Sequence, residues 1–106
     1  MMPGIRAAVL FLLAASVAGA ALAQSPGADL YKNRCAICHG QDGLAASPGA
    51  KSLKVPSFKS PEMLAASDSR FYLTTLRGEN RMPAYAGNLT DAQIKEVLAY
   101  IRTLQK

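Results

Sequence analysis

Both cysteines of this 106-residue chain and its only histidine fall within one pentapeptide, Cys35-Ala36-Ile37-Cys38-His39. Shuffled through the chain, these three residues would take this order and spacing in roughly one arrangement in 5,700, which rejects coincidence. C-x-x-C-H is the pattern of covalent haem attachment. Two thiols placed on one helical turn can reach the edge of one haem and add to its two vinyl groups. The residue that follows then presents a neutral imidazole to the iron. Three other chemistries compete. A disulfide between Cys35 and Cys38 would close a loop too short to staple much chain. A C-x-x-C thiol oxidoreductase needs a βαβ context, and no segment here alternates apolar and polar residues as a strand would. A structural zinc site needs one ligand more than two Cys and one His provide.

The chain is half hydrophobic, but much of that sits in one block at the start. Arg6 precedes an apolar run from Ala7 to Ala15, and small residues lead to Ala21-Leu22-Ala23. This is the basic, apolar and A-x-A layout of a secretory signal peptide, too short and Ala-rich for a membrane span. Cleavage after Ala23 leaves residues 24–106 as one domain and places it in the periplasm without a stable anchor. The competing reading is a retained anchor helix. Loss of Arg6 leaves 11 Lys and Arg against 7 Asp and Glu, with no charge run longer than two. That pattern gives no nucleic-acid arm; a mild positive balance steers an acidic protein partner or serves solubility. A domain of 83 residues has room for only a modest core and needs a staple, which a cofactor supplies.

The periodicity reads as all-α. A helix from near Ala28 to Cys38, with Asp29 as its cap, carries Leu30, Tyr31 and Arg34. Gly40 to Pro61 reads as a loop long enough to wrap a cofactor, with Leu44, Leu53, Val55 and Phe58 as apolar anchors. Ser60-Pro61-Glu62 opens a short helix bearing Met63 and Leu64. Ser67-Asp68 starts another that runs to Arg77 and stops at Gly78. Its buried face is ambiguous, because Phe71, Thr74 and Thr75 share one side while Leu73 and Leu76 lie on another. Residues 79–87 are irregular. Thr90 and Gln93 form a capping box for a last helix whose Ile94, Val97, Leu98, Ile101 and Leu104 make one apolar stripe.

The iron needs a sixth ligand or an open site. With Met1 and Met2 in the leader, Met63 and Met82 remain. Met82 is the candidate, because it follows a helix stop, lies in an irregular stretch and is held beside Pro83. The competing role for either methionine is core packing.

The sequence resembles a class I (mitochondrial-type) bacterial monohaem cytochrome c of the short periplasmic kind, over nearly the whole of residues 24–106. The matching residues are Gly27-Ala28-Asp29-Leu30-Tyr31, Cys35-Ala36-Ile37-Cys38-His39-Gly40, Arg77-Gly78 with Met82-Pro83-Ala84-Tyr85, and Leu89-Thr90-Asp91 through Ala99-Tyr100-Ile101-Arg102. The resemblance implies a small cytochrome c fold of three to four short helices around one covalent haem c. The first and last helices would cross, with Gly27 and Tyr31 against Tyr100. It departs from the family at Lys51, where members often have a proline whose carbonyl holds the axial imidazole. A carbonyl between Ala50 and Ser52 could take that role. Thr74 and Thr75 stand where an aliphatic haem-side residue is expected.

His39 and Met82 together fill both axial positions. The soft thioether raises the potential, and an iron closed to substrates suits a one-electron carrier, not an enzyme. The expected partners are redox proteins, docking on basic residues such as Lys32, Arg34, Lys54, Lys59 and Arg81, with the protein a monomer. The rivals are a haem sensor or peroxidase with an open iron, and a dedicated subunit of a larger oxidoreductase.

Overall fold

A computed structural model describes residues 25–106, so the leader reading of residues 1–23 lies outside the described residues. Six helical segments follow one another: α1 (Pro26–Arg34), α2 (Ala36–His39), α3 (Pro48–Ser52), α4 (Pro61–Ala65), α5 (Asp68–Arg77) and α6 (Asp91–Leu104). Among the described residues there is no strand beyond two isolated bridges, Glu79 with Met82 and Ala86 with Leu89. The all-α expectation holds. Three helices of nine or more residues carry the packing, and three of four or five residues are set in the connections. Among the described residues no helix is long and apolar enough to cross a membrane.

Side-chain caps define the helix starts. Ser25, Ser47 and Ser60 each accept from a backbone N–H three residues on, and each is followed by proline at the first helical position. Proline there loses no hydrogen bond and pre-sets φ. Ser67 and Thr90 cap α5 and α6, and Thr90 and Gln93 close the expected capping box in both directions, at 3.1 and 2.9 Å. Two expectations are corrected. The first helix begins at Pro26 under Ser25, not near Ala28 under Asp29, and it breaks at Cys35 instead of running to Cys38. The stretch from Gly40 to Pro61 is not all loop, because Ser47-Pro48 nucleates α3.

The core is Tyr31, Phe58, Phe71, Leu89, Ile94, Val97, Leu98 and Ile101. Four of these are the predicted stripe of α6, and burying each such side chain stabilises the fold by about 1.5–3 kcal/mol. Helix α6 packs on both α1 and α5. The α1–α6 crossing is close at Gly27, where a Cβ would run into the carbonyl of Glu96. The rings of Tyr31 and Tyr100 meet at 5.3 Å, as expected, and the nearest atoms to Gly27 are the backbone of Glu96 and Val97 on the same helix as Tyr100. On α5 the buried face is Phe71 and Thr75. The Thr75 hydroxyl donates to the Phe71 carbonyl at 2.8 Å, so this buried polar group is satisfied within its own helix. Of the expected loop anchors only Phe58 is fully buried. Val55 is half-buried, and Leu44 and Leu53 are exposed.

Candidate haem site

The Cys-x-x-Cys-His segment lies where two helices meet. Cys35 donates its N–H to Tyr31 at 2.9 Å and ends α1. The N–H groups of Cys38 and His39 both turn to the Cys35 carbonyl, at 3.2 and 3.0 Å, which starts the single turn of α2. Both cysteines are thereby held on one turn, half-buried and not joined as a disulfide. Burial, against a smaller opposing pull from Arg34, pushes the Cys35 thiol up to about 11. Zinc is disfavoured: among the described residues no group of three or more His, Cys, Asp or Glu could hold a metal ion.

His39 is partly buried, and its ring stacks on Phe58 at 4.5 Å with 14° between the planes. Phe58 in turn meets Phe71 edge-on at 6.2 Å, so the imidazole is seated against the hydrophobic core. Burial holds its pKa below the usual histidine value and keeps the ring neutral, the form that binds a metal. Nδ1 is buried with no hydrogen-bond partner. The Ala50–Ser52 backbone therefore does not supply the expected acceptor; the Ala50 carbonyl instead takes the N–H of Val55 at 2.9 Å. Behind the motif, the Tyr31 hydroxyl donates to the Gly40 carbonyl at 2.6 Å, and the N–H of Ala45 donates to the His39 carbonyl at 2.9 Å.

Met82 stands on a separate segment, tied to α5. Gly78 ends that helix at φ 75°, and a Cβ there would meet the Met82 carbonyl oxygen at 2.7 Å. Asn80 also takes a left-handed φ of 53°, which its short side chain tolerates. Glu79 and Met82 then exchange both backbone hydrogen bonds, at 3.2 and 2.9 Å. The chain returns along α5, where the N–H groups of Tyr85 and Ala86 satisfy the Thr75 and Leu76 carbonyls at 3.0 and 3.1 Å. Tyr85 connects this loop to the haem motif, its hydroxyl donating to the Arg34 carbonyl at 2.9 Å. In the sequence Tyr85 enters only as the end of the Met82-Pro83-Ala84-Tyr85 match, and neither its hydroxyl nor that of Tyr31 is assigned a role. The available signal was the one aromatic residue of the loop at 79–86. Met63, by contrast, packs against the core cluster.

The residues present suit a haem. A partly buried imidazole follows two free thiols on one turn. Between the thiols Ile37 is 89% exposed, and further along the chain Leu44, Leu53 and, on α4, Leu64 at 50% are also left uncovered by the core. A flat, largely apolar macrocycle is a group that covers exposed apolar side chains of this kind.

Comparison with known proteins decides the family. The family described as "Cytochrome C oxidase, cbb3-type, subunit III" matches residues 22–101. Cytochrome c6 of Thermosynechococcus vestitus is 35% identical over 96 residues, which cover 89% of this chain and 83% of that protein. The chain belongs to the class I monohaem c-type cytochromes.

The cytochrome accordingly carries one covalently bound haem c with its iron, and it is an electron carrier, not an enzyme. Cytochrome c6 of Synechococcus elongatus is 36% identical over 75 residues, or 71% of this chain and 83% of its own length. A "Cbb3-type cytochrome c oxidase subunit CcoP" from Azospirillum sp. (strain B510) is 32% identical over 83 residues, 74% of the cytochrome but only 27% of that subunit. The five basic side chains expected at a docking surface, Lys32, Arg34, Lys54, Lys59 and Arg81, are all exposed.

Proposed function

We propose that Cys35 and Cys38 form the thioether bonds to haem c, that His39 and Met82 are the axial iron ligands, and that the protein is a soluble, monomeric one-electron carrier of the periplasm. In this reading residues 1–23 are removed on export. The observation that carries it is the half-buried pair of free thiols on one turn, followed directly by a partly buried histidine seated on Phe58.

Haem c supplies a one-electron iron couple when bound. The chain's own residues do the rest. The two cysteines hold the group where free haem would be lost. Burial keeps His39 unprotonated, and Phe58 fixes its plane. The loop of residues 79–86, fastened to α5 by main-chain bonds, brings up a soft thioether that favours the reduced state and closes the iron to small ligands. The exposed basic residues set the encounter rate with a redox partner of acidic surface.

The test is the absorption spectrum of the purified holoprotein, ferric and ferrous, with and without carbon monoxide. A sharp low-spin ferrous spectrum unchanged by carbon monoxide, with the weak red band of ferric Met–iron coordination, is expected. A carbon monoxide shift would point to an open iron and to sensing or catalysis. Substituting Cys35, Cys38 or His39 should abolish normal maturation.

A second reading is favoured by one observation, the match to oxidase subunits in which such a domain is a fraction of the chain. The cytochrome would then serve as a fixed electron-donating subunit of a larger complex. Co-purification of a stoichiometric partner from the native host supports that reading, and a monomer mass after gentle extraction supports the free carrier.

A further inference from the structure

The hydroxyl of Tyr85 meets a carbonyl that the helix itself abandons. In a continuous helix the N–H of Cys38 would bond to Arg34, but the break at Cys35 sends it to Cys35 instead, at 3.2 Å. The freed Arg34 carbonyl is taken by Tyr85, at 2.9 Å. The backbone of Tyr85 is itself pinned. Its N–H goes to Thr75 at 3.0 Å, and its carbonyl accepts from Asn88 and Leu89 at 2.9 and 3.0 Å. One side chain thus spans two fixed segments, the loop that carries Met82 and the residue immediately before Cys35. Only Pro83 and Ala84 separate Tyr85 from Met82, and proline stiffens that link. Burial raises the phenol above its usual value, so the hydroxyl stays a donor across the neutral range.

We propose that Tyr85 is a positioning residue for the sixth iron ligand: its hydroxyl latches the Met82 loop to the haem-attachment turn and keeps the thioether from leaving ferric iron. The proposal rests on the reading of Met82 as a ligand. Ferric iron holds a soft thioether less firmly than ferrous iron does, so the oxidised protein is where a latch matters. A neutral hydrogen bond of this kind changes an equilibrium by a factor of about three to ten. Loss of the latch should raise the open-loop population by that factor.

Imidazole is the probe, because it binds ferric iron only when the methionine is off, and its apparent affinity scales with the open fraction. Ferric wild type is compared with Tyr85→Phe, Tyr72→Phe and Met82→Ala, all as holoproteins. Tyr85→Phe keeps the ring and removes only the hydroxyl. Tyr72→Phe is the control, since its hydroxyl serves Asp91 at 2.5 Å on another part of the surface. The expected result is imidazole binding tightened about three- to ten-fold in Tyr85→Phe and unchanged in Tyr72→Phe. The red Met–iron band should be present in wild type and absent in Met82→Ala. If that band pattern holds but Tyr85→Phe binds imidazole like wild type, or both tyrosine variants tighten alike, the latch is overturned and Met82 stands as ligand. If Met82→Ala keeps the band, the ligand reading falls and the latch falls with it.

Discussion

The hydroxyl of Tyr31, on the buried face of α1, donates to the carbonyl of Gly40 at 2.6 Å, so the hydrophobic core is bonded directly to the residue after His39. Burial first, then the neighbouring Tyr100 and Asp42, push the Tyr31 phenol well above its usual value. The folded state therefore favours the protonated phenol more than the unfolded chain does. The resulting stability is fully present below the unfolded tyrosine pKa of about 10 and is lost as pH rises beyond it. Tyr31→Phe should cost about 1 kcal/mol at neutral pH. Guanidinium titrations near neutrality and above pH ~10 check both claims. Wild type should lose more stability than Tyr31→Phe between the two conditions, and equal losses would remove Tyr31 as the alkaline-sensitive group.

Gly27→Ala tests the helix crossing. The added methyl would strike the Glu96 carbonyl, a backbone atom that cannot swing away, and it lies near the Val97 nitrogen at 3.3 Å. Overpacking of this kind costs about 1–3 kcal/mol. In an exposed helix the same change would stabilise, because alanine has the better helix propensity. A lower guanidinium midpoint with an unchanged slope is the expected outcome. A neutral or stabilising effect would show that the two helices are not in close contact.

The sequence made α6 and the haem motif plain for physical reasons that do not extend to the middle of the chain. Helix α6 buries one regular stripe against protein, so its apolar period is complete from Ile94 to Ile101. The Ser-Pro start is legible at Ser60-Pro61, but the same signal is masked at Ser25-Pro26, where Asp29 offers a rival cap, and at Ser47-Pro48, where Ser, Gly and Ala crowd the segment and mimic a loop. Leu44 and Leu53 look like core anchors, yet the polypeptide core does not cover them. Side chains that serve a cofactor surface obey its shape, which leaves no period in the sequence. On α5 Phe71 and Thr75 are buried, Tyr72 and Leu76 pack partly against the core and Leu73 is exposed, so no single face carries a clean apolar period. The Tyr85–Arg34 bond spans 51 residues and depends on a helix break that sequence reading did not foresee.

Arg102 joins the end of α6 to the start of α5. Its guanidinium donates to Asp68 at 2.8 and 3.0 Å, to the Ala66 carbonyl at 2.7 Å and to Gln105 at 2.9 Å, and it lies over the Phe71 ring at 4.3 Å. A lysine keeps the charge but not the planar fork. Arg102→Lys should therefore cost about 2 kcal/mol, because hydrogen bonds from a charged donor are lost beside a half-buried carbonyl. Asp68→Asn alone should cost less, since Asp68 is largely exposed and leaves the Ala66 and Phe71 contacts intact. Thermal unfolding of the two variants checks the order, and equal losses would reduce the network to its surface ion pair.

The polypeptide should not hold this fold without its cofactor. Helices α2, α3 and α4 have four or five residues each, far below the length at which an isolated helix persists, and all three lie between His39 and the start of α5 or within the motif itself. Through that whole stretch Phe58 is the only large apolar side chain fully buried by protein. Its packing partner His39 is itself only partly buried by the protein. With so little burial to oppose the chain entropy of the middle third, a Cys35→Ala/Cys38→Ala chain prepared without haem is expected to be largely unfolded. Far-UV circular dichroism should lack most of the helical signal of the holoprotein, and amide exchange should be unprotected even in α6. A native helix content in that chain would mean that the α1–α5–α6 core is self-sufficient and that haem is added to a preformed fold.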